Sequence, residues 1–558
     1  MTTGTSLRSR ALDAERAGDH VAAERLFEAA AAASPNDPAL LNSIGSFHSR
    51  RGDHRAARLW FERALALAPA STEIEINLAL ALSGIGLPTQ ALMRLRAIEK
   101  EAGSSARYWS ARGGIARDVG ALDEAANCYD QALSREPERA VARHGRARIA
   151  LERGEPDASA RFDDAIRFRT GEAELWLGKA QALEARGKPT EARHLAEHLV
   201  EQAPQWIDAL ELLSQLRWAA GERQCFCDHY AKSHGLFPTD SNLVLSWVRM
   251  LAGVDDHRAA ALVAQAALRK VSENRGLALA EAVHASAAGE QTWAERFFAS
   301  HSPRDDGERV QWARHHLRWG EVEKAEKLLC QVIRATPDHV AAWALLDVAW
   351  RTMGDARSDW LHGQAGLVST LPLPIPADEL LAALSVLHRL HDAAGQPVGQ
   401  SVRDGTQTRG ALFDRMEAEV RRLRDALVIA VEAYRNGLPP MDPTHPLLRY
   451  RTVTWRLSHS WSVRLSAGGR HAEHIHPQGL ISSATYLQLP PEDPANPDAA
   501  MLELGRPPAD LRSQLGPIMA IRPQVGHLAL FPSTLFHGTT QFPAGRRVTV
   551  AFDVTRVP

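Results

Sequence analysis

Two histidines one residue apart, His474-Ile475-His476, are the sharpest chemical feature of this 558-residue chain. On a strand, residues i and i+2 project to one face, so both imidazoles would point the same way. A third histidine, His537, lies about sixty residues further on, in FPSTLFHG, where a neighbouring strand can bring it alongside. Three neutral imidazoles on one face suit a first-row divalent metal. The surrounding region is rich in the same residue, with His445, His459, His471 and His527 also beyond position 443.

The segment RRVTVAFDV (546–554) adds an anion-binding group. Val548, Val550 and Phe552 share one face, and Arg547, Thr549 and Ala551 share the other. If the first face packs on supporting helices, Arg547 points inward. A buried arginine is costly unless an anion pairs with it. Its planar fork suits a carboxylate. Tyr486 follows His474 by twelve residues and keeps its strand-face parity, which makes it a candidate contact for the same ligand. Arg403 and Gln407, in a loop before the β-rich region, are candidate substrate contacts.

Positioning these groups requires a two-sheet scaffold. From Arg449 onward the apolar period is two. Val453, Trp455 and Leu457 alternate with polar residues, and short strands are predicted to follow at about 460–466, 470–476, 480–489, 500–504, 517–522, 527–531 and 547–554. Gly468-Gly469, Pro490-Pro491, Gly505, Pro523, Gly526 and Gly545 separate them. Many short strands in little over a hundred residues predict a sandwich or jelly roll. Ahead of them, a helix of about ten residues from Ala377 and an amphipathic helix near 410–435 would support the sheet, and LPLPIP (371–376) reads as an extended connector.

The first two thirds of the chain is a different kind of protein. Of 31 prolines, 11 lie in residues 1–371 and 20 in 372–558. Gly18, Gly52, Gly86, Gly120 and Gly154 recur every 34 residues; Gly187 breaks step by one, Gly221 resumes at 34, and the pair Gly320 and Gly354 repeats the same spacing. Ala23, Ala57, Ala91 and Ala125 each follow a glycine by five residues; Phe27, Phe61 and Tyr129 follow by nine. Glycine ends one helix in the left-handed conformation. The small alanine lets two helices approach, and the aromatic four residues later lies on the same face. This pattern resembles the tetratricopeptide repeat, about ten helix pairs over residues 5–355, with only Gly253 and Gly289 hinting at the register across 240–310. Such arrays stack into a superhelix with a concave peptide-binding surface; a spacer or homodimerisation platform is the alternative.

Composition excludes several classes. Lys+Arg of 65 against Asp+Glu of 67 gives a net charge of -2, without the basic excess of a nucleic-acid or anionic-membrane surface. Four cysteines make no disulfide framework, and Cys225-x-Cys227 alone lacks a second ligand pair for a metal. No apolar run reaches about 18 residues, and the first twenty residues carry no apolar signal core. The expected compartment is the cytoplasm.

The combination His474-x-His476, His537 and Arg547-x-Thr549 resembles the site of iron(II)/2-oxoglutarate-dependent oxygenases. More closely, residues 396–555 resemble oxygenases fused behind tetratricopeptide repeats in bacteria. The matching stretches are QSVRDGTQT (400–408), SHSWSVRLSAGGRHAEHIHPQGLISSATYLQLP (458–490), ALFPSTLFHGTTQF (529–542) and RRVTVAFDV (546–554). The resemblance implies a multi-domain α + β chain. Residues 1–360 would be the repeat superhelix, 361–376 the connector, and 377–558 a double-stranded β-helix (jelly-roll) domain with supporting helices at its start. It implies Fe(II), 2-oxoglutarate and O2, a dioxygenase reaction yielding succinate, CO2 and a hydroxylated product, and a peptide or protein substrate presented by the repeats. His474, His476 and His537 would hold the metal, and Arg547, Thr549 and Tyr486 the cosubstrate.

One departure leaves alternatives open. The superfamily has a carboxylate where this chain has His476, although the fused oxygenases it resembles share the His-x-His form. Either three histidines bind the metal, or His474 and His537 bind it and His476 lines the pocket. Glu473 is one residue off and faces away. A scaffold with an inactive barrel, an oxygenase of small molecules, and a cupin-like three-histidine enzyme without 2-oxoglutarate are the competing functions.

Overall fold

The computed structural model describes residues 3–169 and 171–557, which form two compact units, Met1–Lys179 and Ala180–Pro558. The division does not fall at 360, where the repeat period ends.

In the first unit, antiparallel helices pair as the period requires: Thr3–Arg16 with His20–Ala33, Pro38–Arg50 with His54–Leu67, Thr72–Gly84 with Pro88–Ala97, Ala106–Asp118 with Leu122–Arg135, and Ala140–Glu152 with Ala158–Phe168. Asp19, Asp37 and Asp53 cap helix N-termini through their carboxylates. Gly18, Gly52, Gly86, Gly120 and Gly154 all have φ between 66° and 84°, the left-handed stop expected of them. The repeating aromatic is buried against a helix that has no side chain at the point of contact: a Cβ on Gly45 would lie 2.6 Å from the Phe61 ring, and one on Gly145 2.2 Å from Tyr129.

In the second unit the helix pairs run on through 240–310, as Ser241–Ala252 with His257–Leu268 and Arg275–Ala287 with Gln291–Phe298. Gly289 is left-handed (φ 88°), but the corresponding stop after Ser241–Ala252 is Asp255 (φ 64°). Gly253 does something else. A Cβ there would come within 2.8 Å of the Gly399 backbone, whose N–H donates to Gly253 O at 3.0 Å. Among the described residues, no helix is long and apolar enough to cross a membrane.

Among the described residues nine strands follow: β1 (Ser369–Pro372), β2 (Val402–Gln407), β3 (Trp455–His471), β4 (Ile481–Gln488), β5 (Leu502–Leu504), β6 (Met519–Ile521), β7 (His527–Pro532), β8 (His537–Thr539) and β9 (Arg547–Arg556). A six-stranded sheet has the order β1-β7-β4-β9-β3-β2, and a three-stranded sheet the order β6-β5-β8, all antiparallel. Helices Ala377–Asp392 and Ala418–Gly437 cover one face of the larger sheet: Leu380, Val386, Leu423 and Leu427 share a core with Val548, Val550 and Phe552. Complete burial of such side chains contributes about 1.5–3 kcal/mol each. The opposite face, with Tyr486, Ala529 and Phe531, packs against Leu502 and Leu504 of the smaller sheet.

Four expectations change in detail. Residues 361–376 are not a bare connector, because β1 within them pairs with β7 and extends the large sheet. Arg403 and Gln407 lie on β2, the opposite edge, and not in a loop. The separate strands expected over 449–466 are one long β3 with an irregularity between Ser458 and Ser460. Residues 472–479 are not a strand: β3 ends at His471, and His474 keeps a single bridge, to His537 of the other sheet. There the backbone crosses between the sheets, bonded to Ser401 O at Ala472 and to His537 at His474.

The later repeats grip this β domain through charged and polar side chains. Arg314 binds the Asp510 carboxylate through both nitrogens (2.6 and 3.0 Å), and Arg318 donates to Asp510 O at 2.7 Å. Arg351 donates to Gly505 O and Gly516 O. Buried His362 links Asp347 (3.0 Å) to Thr534 (2.9 Å).

Candidate metal centre and its pocket

His474, His476 and His537 converge, with one ring nitrogen from each lying within 4.8 Å of the others. Among the described residues this is the one group of three histidine, cysteine or carboxylate side chains so arranged. The backbone sets the spacing. His474 N–H donates to His537 O (3.0 Å) and His537 N–H donates to His474 O (2.9 Å), a two-bond bridge between the sheets.

The outer nitrogen of each ring faces an acceptor. His474 Nδ1 lies 2.8 Å from Ala472 O, His537 Nδ1 3.1 Å from Leu535 O, and His476 Nδ1 2.5 Å from the Asp553 carboxylate. These acceptors select the Nδ1–H tautomer and leave each Nε2 as a lone pair. His474 Nε2 and His476 Nε2 are only 3.1 Å apart. Lone pairs brought this close repel unless a cation lies between them. Burial, with the neighbouring His476 ring, pushes His474 down to about 3, and burial holds His537 well below its ordinary value. Neutral imidazole is the ligand form. The donor set therefore fits a divalent metal, with each ring oriented from behind as metal-ligating histidines usually are.

Arg547 is 2% exposed, fully enclosed on the face opposite the helix-packed valines. Its Nη1 donates to Ala500 O at 3.0 Å, and its Nε has no partner. Its guanidinium lies 5.2 Å from the Tyr486 ring, and the Tyr486 hydroxyl is likewise buried and unpartnered. Desolvation pushes the Arg547 pKa below its ordinary value. A buried cation with no protein anion and a spare hydroxyl beside it fits an anionic ligand such as a carboxylate. Thr549 stands opposite Tyr486 in the β4–β9 register and lines the same pocket as Arg547 and the three histidines. That pocket has a volume of about 40 Å³.

The two remaining candidates lie elsewhere. Arg403 is paired with Asp255 (2.6 Å) and lines a separate cavity of about 580 Å³ that His474 also lines. Gln407 lines a third cavity, about 280 Å³, with His459 and Trp461, whose ring meets His476 edge-on at 5.1 Å. Sequence reasoning missed Asp553. Its signal was present, because it continues the inward parity of Arg547, Thr549 and Ala551, and an acid on an inward face needs a partner.

Residues 459–553 match the family described as "Putative 2OG-Fe(II) oxygenase", and residues 8–72 and 111–172 match the tetratricopeptide repeat. The chain thus joins tetratricopeptide repeats to a β-rich domain that matches the model of that putative oxygenase family. The family implies Fe(II), 2-oxoglutarate and O2. No curated protein matches the chain. Among solved structures, a tetratricopeptide repeat protein from Parabacteroides merdae is 21% identical over 44% of this chain and 96% of its own, with a TM-score of 0.36. A thermophilic repeat protein of Thermus thermophilus is 21% identical over 31% and 94% (TM-score 0.28). Yeast Tom70 is 12% identical over 64% and 98% (TM-score 0.31).

Proposed function

We propose that the chain is an iron(II)/2-oxoglutarate-dependent oxygenase that hydroxylates a side chain of a peptide or protein held by its repeats. One observation carries this reading: a ring nitrogen from each of three histidines converges in a pocket that also holds a buried arginine without an anion. In this reading His474, His476 and His537 hold the metal, and Arg547 grips the far carboxylate of the cosubstrate with help from Thr549 and Tyr486. When bound, iron(II), 2-oxoglutarate and O2 supply oxidative decarboxylation to succinate and CO2, coupled to hydroxylation of a C–H bond. The protein's own residues orient, desolvate and exclude water. No side-chain nucleophile or general base is required. Four free thiols accord with a reducing compartment such as the cytoplasm.

The test is anaerobic addition of iron(II) and 2-oxoglutarate to the full chain. A metal-to-ligand charge-transfer band that His537→Ala abolishes, followed by succinate release in air, supports the proposal. Metal binding without a band, and no succinate, would favour a scaffold or a three-histidine enzyme that does not use 2-oxoglutarate.

A further inference from the structure

The cavity of about 580 Å³ beside His474 has walls from two sources. One wall comes from the repeats, at Asp255, His257, His284, Arg314 and Arg318; the other comes from the β domain, at Ser401, Arg403, Arg470, Glu473 and Asp510. Its charge is uneven. Four guanidiniums meet three carboxylates, and Asp510 alone serves both Arg314 and Arg318. Asp255 serves Arg403.

Arg470 is left over. It stands directly opposite Arg403 in the β2–β3 register, so two like charges share one face of an antiparallel pair. Such a pairing is destabilising unless an anion intervenes. Asp255, delivered by the repeat turn, neutralises Arg403 at 2.6 Å. Beyond this strand pairing, the Arg470 guanidinium makes no hydrogen bond or ion pair with any described residue. Glu473 lines the same cavity without reaching ion-pair distance of any arginine. His257 and His284 stack at 5.4 Å, and burial lowers both, His284 to about 4, so neither brings a compensating or competing charge near neutral pH.

We propose that this cavity is the substrate site and that it takes an acidic peptide segment, with an aspartate or glutamate carboxylate pairing with Arg470. A guanidinium fork matches a carboxylate bidentately. His474 belongs to the same wall, so a segment anchored at Arg470 lies beside the metal centre. The later repeats are then part of the active site and not a tethered recruiting arm. The assignment of this cavity to substrate rests on the oxygenase reading; its preference for acid does not.

The two can be separated experimentally. Binding of a fluorescein-labelled octapeptide of alternating glycine and aspartate to the full chain is measured by anisotropy without metal, against the glycine–asparagine and glycine–lysine counterparts. The aspartate peptide should bind at least tenfold tighter than either. Arg470→Gln should remove most of that preference, and Arg470→Glu should abolish aspartate-peptide binding, with circular dichroism and the charge-transfer band unchanged. Equal affinities, absence of binding, or a preference that survives Arg470→Gln overturns the proposal. A lost band with the preference intact would sink the oxygenase reading alone and leave an acid-binding cavity standing.

Discussion

The carboxylate of Asp553 lies 2.5 Å from His476 Nδ1 and is 5% exposed. The acid of this site therefore stands behind a histidine. A carboxylate behind an imidazole fixes its tautomer and raises its basicity toward a metal. Loss of such a partner typically weakens metal affinity by about 10–100-fold. Asp553→Asn should do so here, measured by competition with a chromophoric chelator. Unchanged affinity would mean that His476 lines the pocket without binding the metal.

Arg547 predicts an inversion of sign between free and ligand-bound protein. Replacing a buried, unpaired cation with an apolar side chain of similar length relieves desolvation. Arg547→Met should raise the apparent Tm of the free protein. Wild type with metal should gain about 2.7 kcal/mol at a 2-oxoglutarate concentration 100 times Kd, and the variant should gain almost none. Thermal scans with and without 2-oxoglutarate check both halves. A variant stabilised by 2-oxoglutarate as well as wild type would rule out Arg547 as its anchor.

How far these groups were legible depended on how local their signals were. The parity of Val548, Val550 and Phe552 against Arg547 and Thr549 is written in consecutive residues, and the helix-packed face and the enclosed arginine follow from it. The three histidines do meet, although His474 and His476 lie in a crossing segment and not on a strand. Their convergence comes from the His474–His537 bridge, a pairing that periodicity cannot reveal. The Arg314–Asp510 clamp joins residues 196 positions apart and has no local trace at all.

That clamp makes a stability prediction. Two guanidiniums hold Asp510 down to about 2 against the opposing effect of its burial. A depressed carboxylate contributes stability that is present above its unfolded value of about 3.9 and lost as pH falls through its folded value. At neutral pH, Asp510→Ala leaves Arg318 buried with its charge unpaired, a loss of about 3–5 kcal/mol. The urea midpoint of the second unit should fall accordingly, and Asp510→Asn should recover part of it. An unfolding free energy within about 0.5 kcal/mol of wild type would show that the clamp is energetically neutral.

Acid sensitivity should begin well above that range, with histidine. His445 is completely buried; its Nε2 donates to Leu361 O at 2.9 Å, and its Nδ1 accepts from the N–H groups of Leu447 and Leu448. Burial pushes its pKa down to about 4. The unfolded chain takes up this proton near pH 6.5 and the folded chain does not. The stabilisation is complete above about 6.5, declines as pH falls to about 4, and stays constant below. The loss is about 3 kcal/mol at most for this residue. His445→Gln should flatten the slope of stability between pH 6.5 and 4.5, and an unaltered slope would move the effect to other buried histidines.

The last prediction concerns the turn that delivers His537. His362 connects the Asp347 carboxylate to the Thr534 hydroxyl, and all three are buried. Thr534 precedes His537 by three residues, in the segment between β7 and β8. His362, at the end of helix Arg357–His362 and held at both ring nitrogens, ties this turn to Asp347 on the repeat helix Val340–Met353. His362→Ala removes the link and leaves Asp347 with only the longer Arg351 contact at 3.4 Å. Stability should fall by about 1–3 kcal/mol. If the link does position His537, metal affinity should fall too, and amide exchange should rise in the 533–537 segment ahead of the rest of the domain. A loss of stability with unchanged metal affinity and uniform exchange would reduce the link to simple packing.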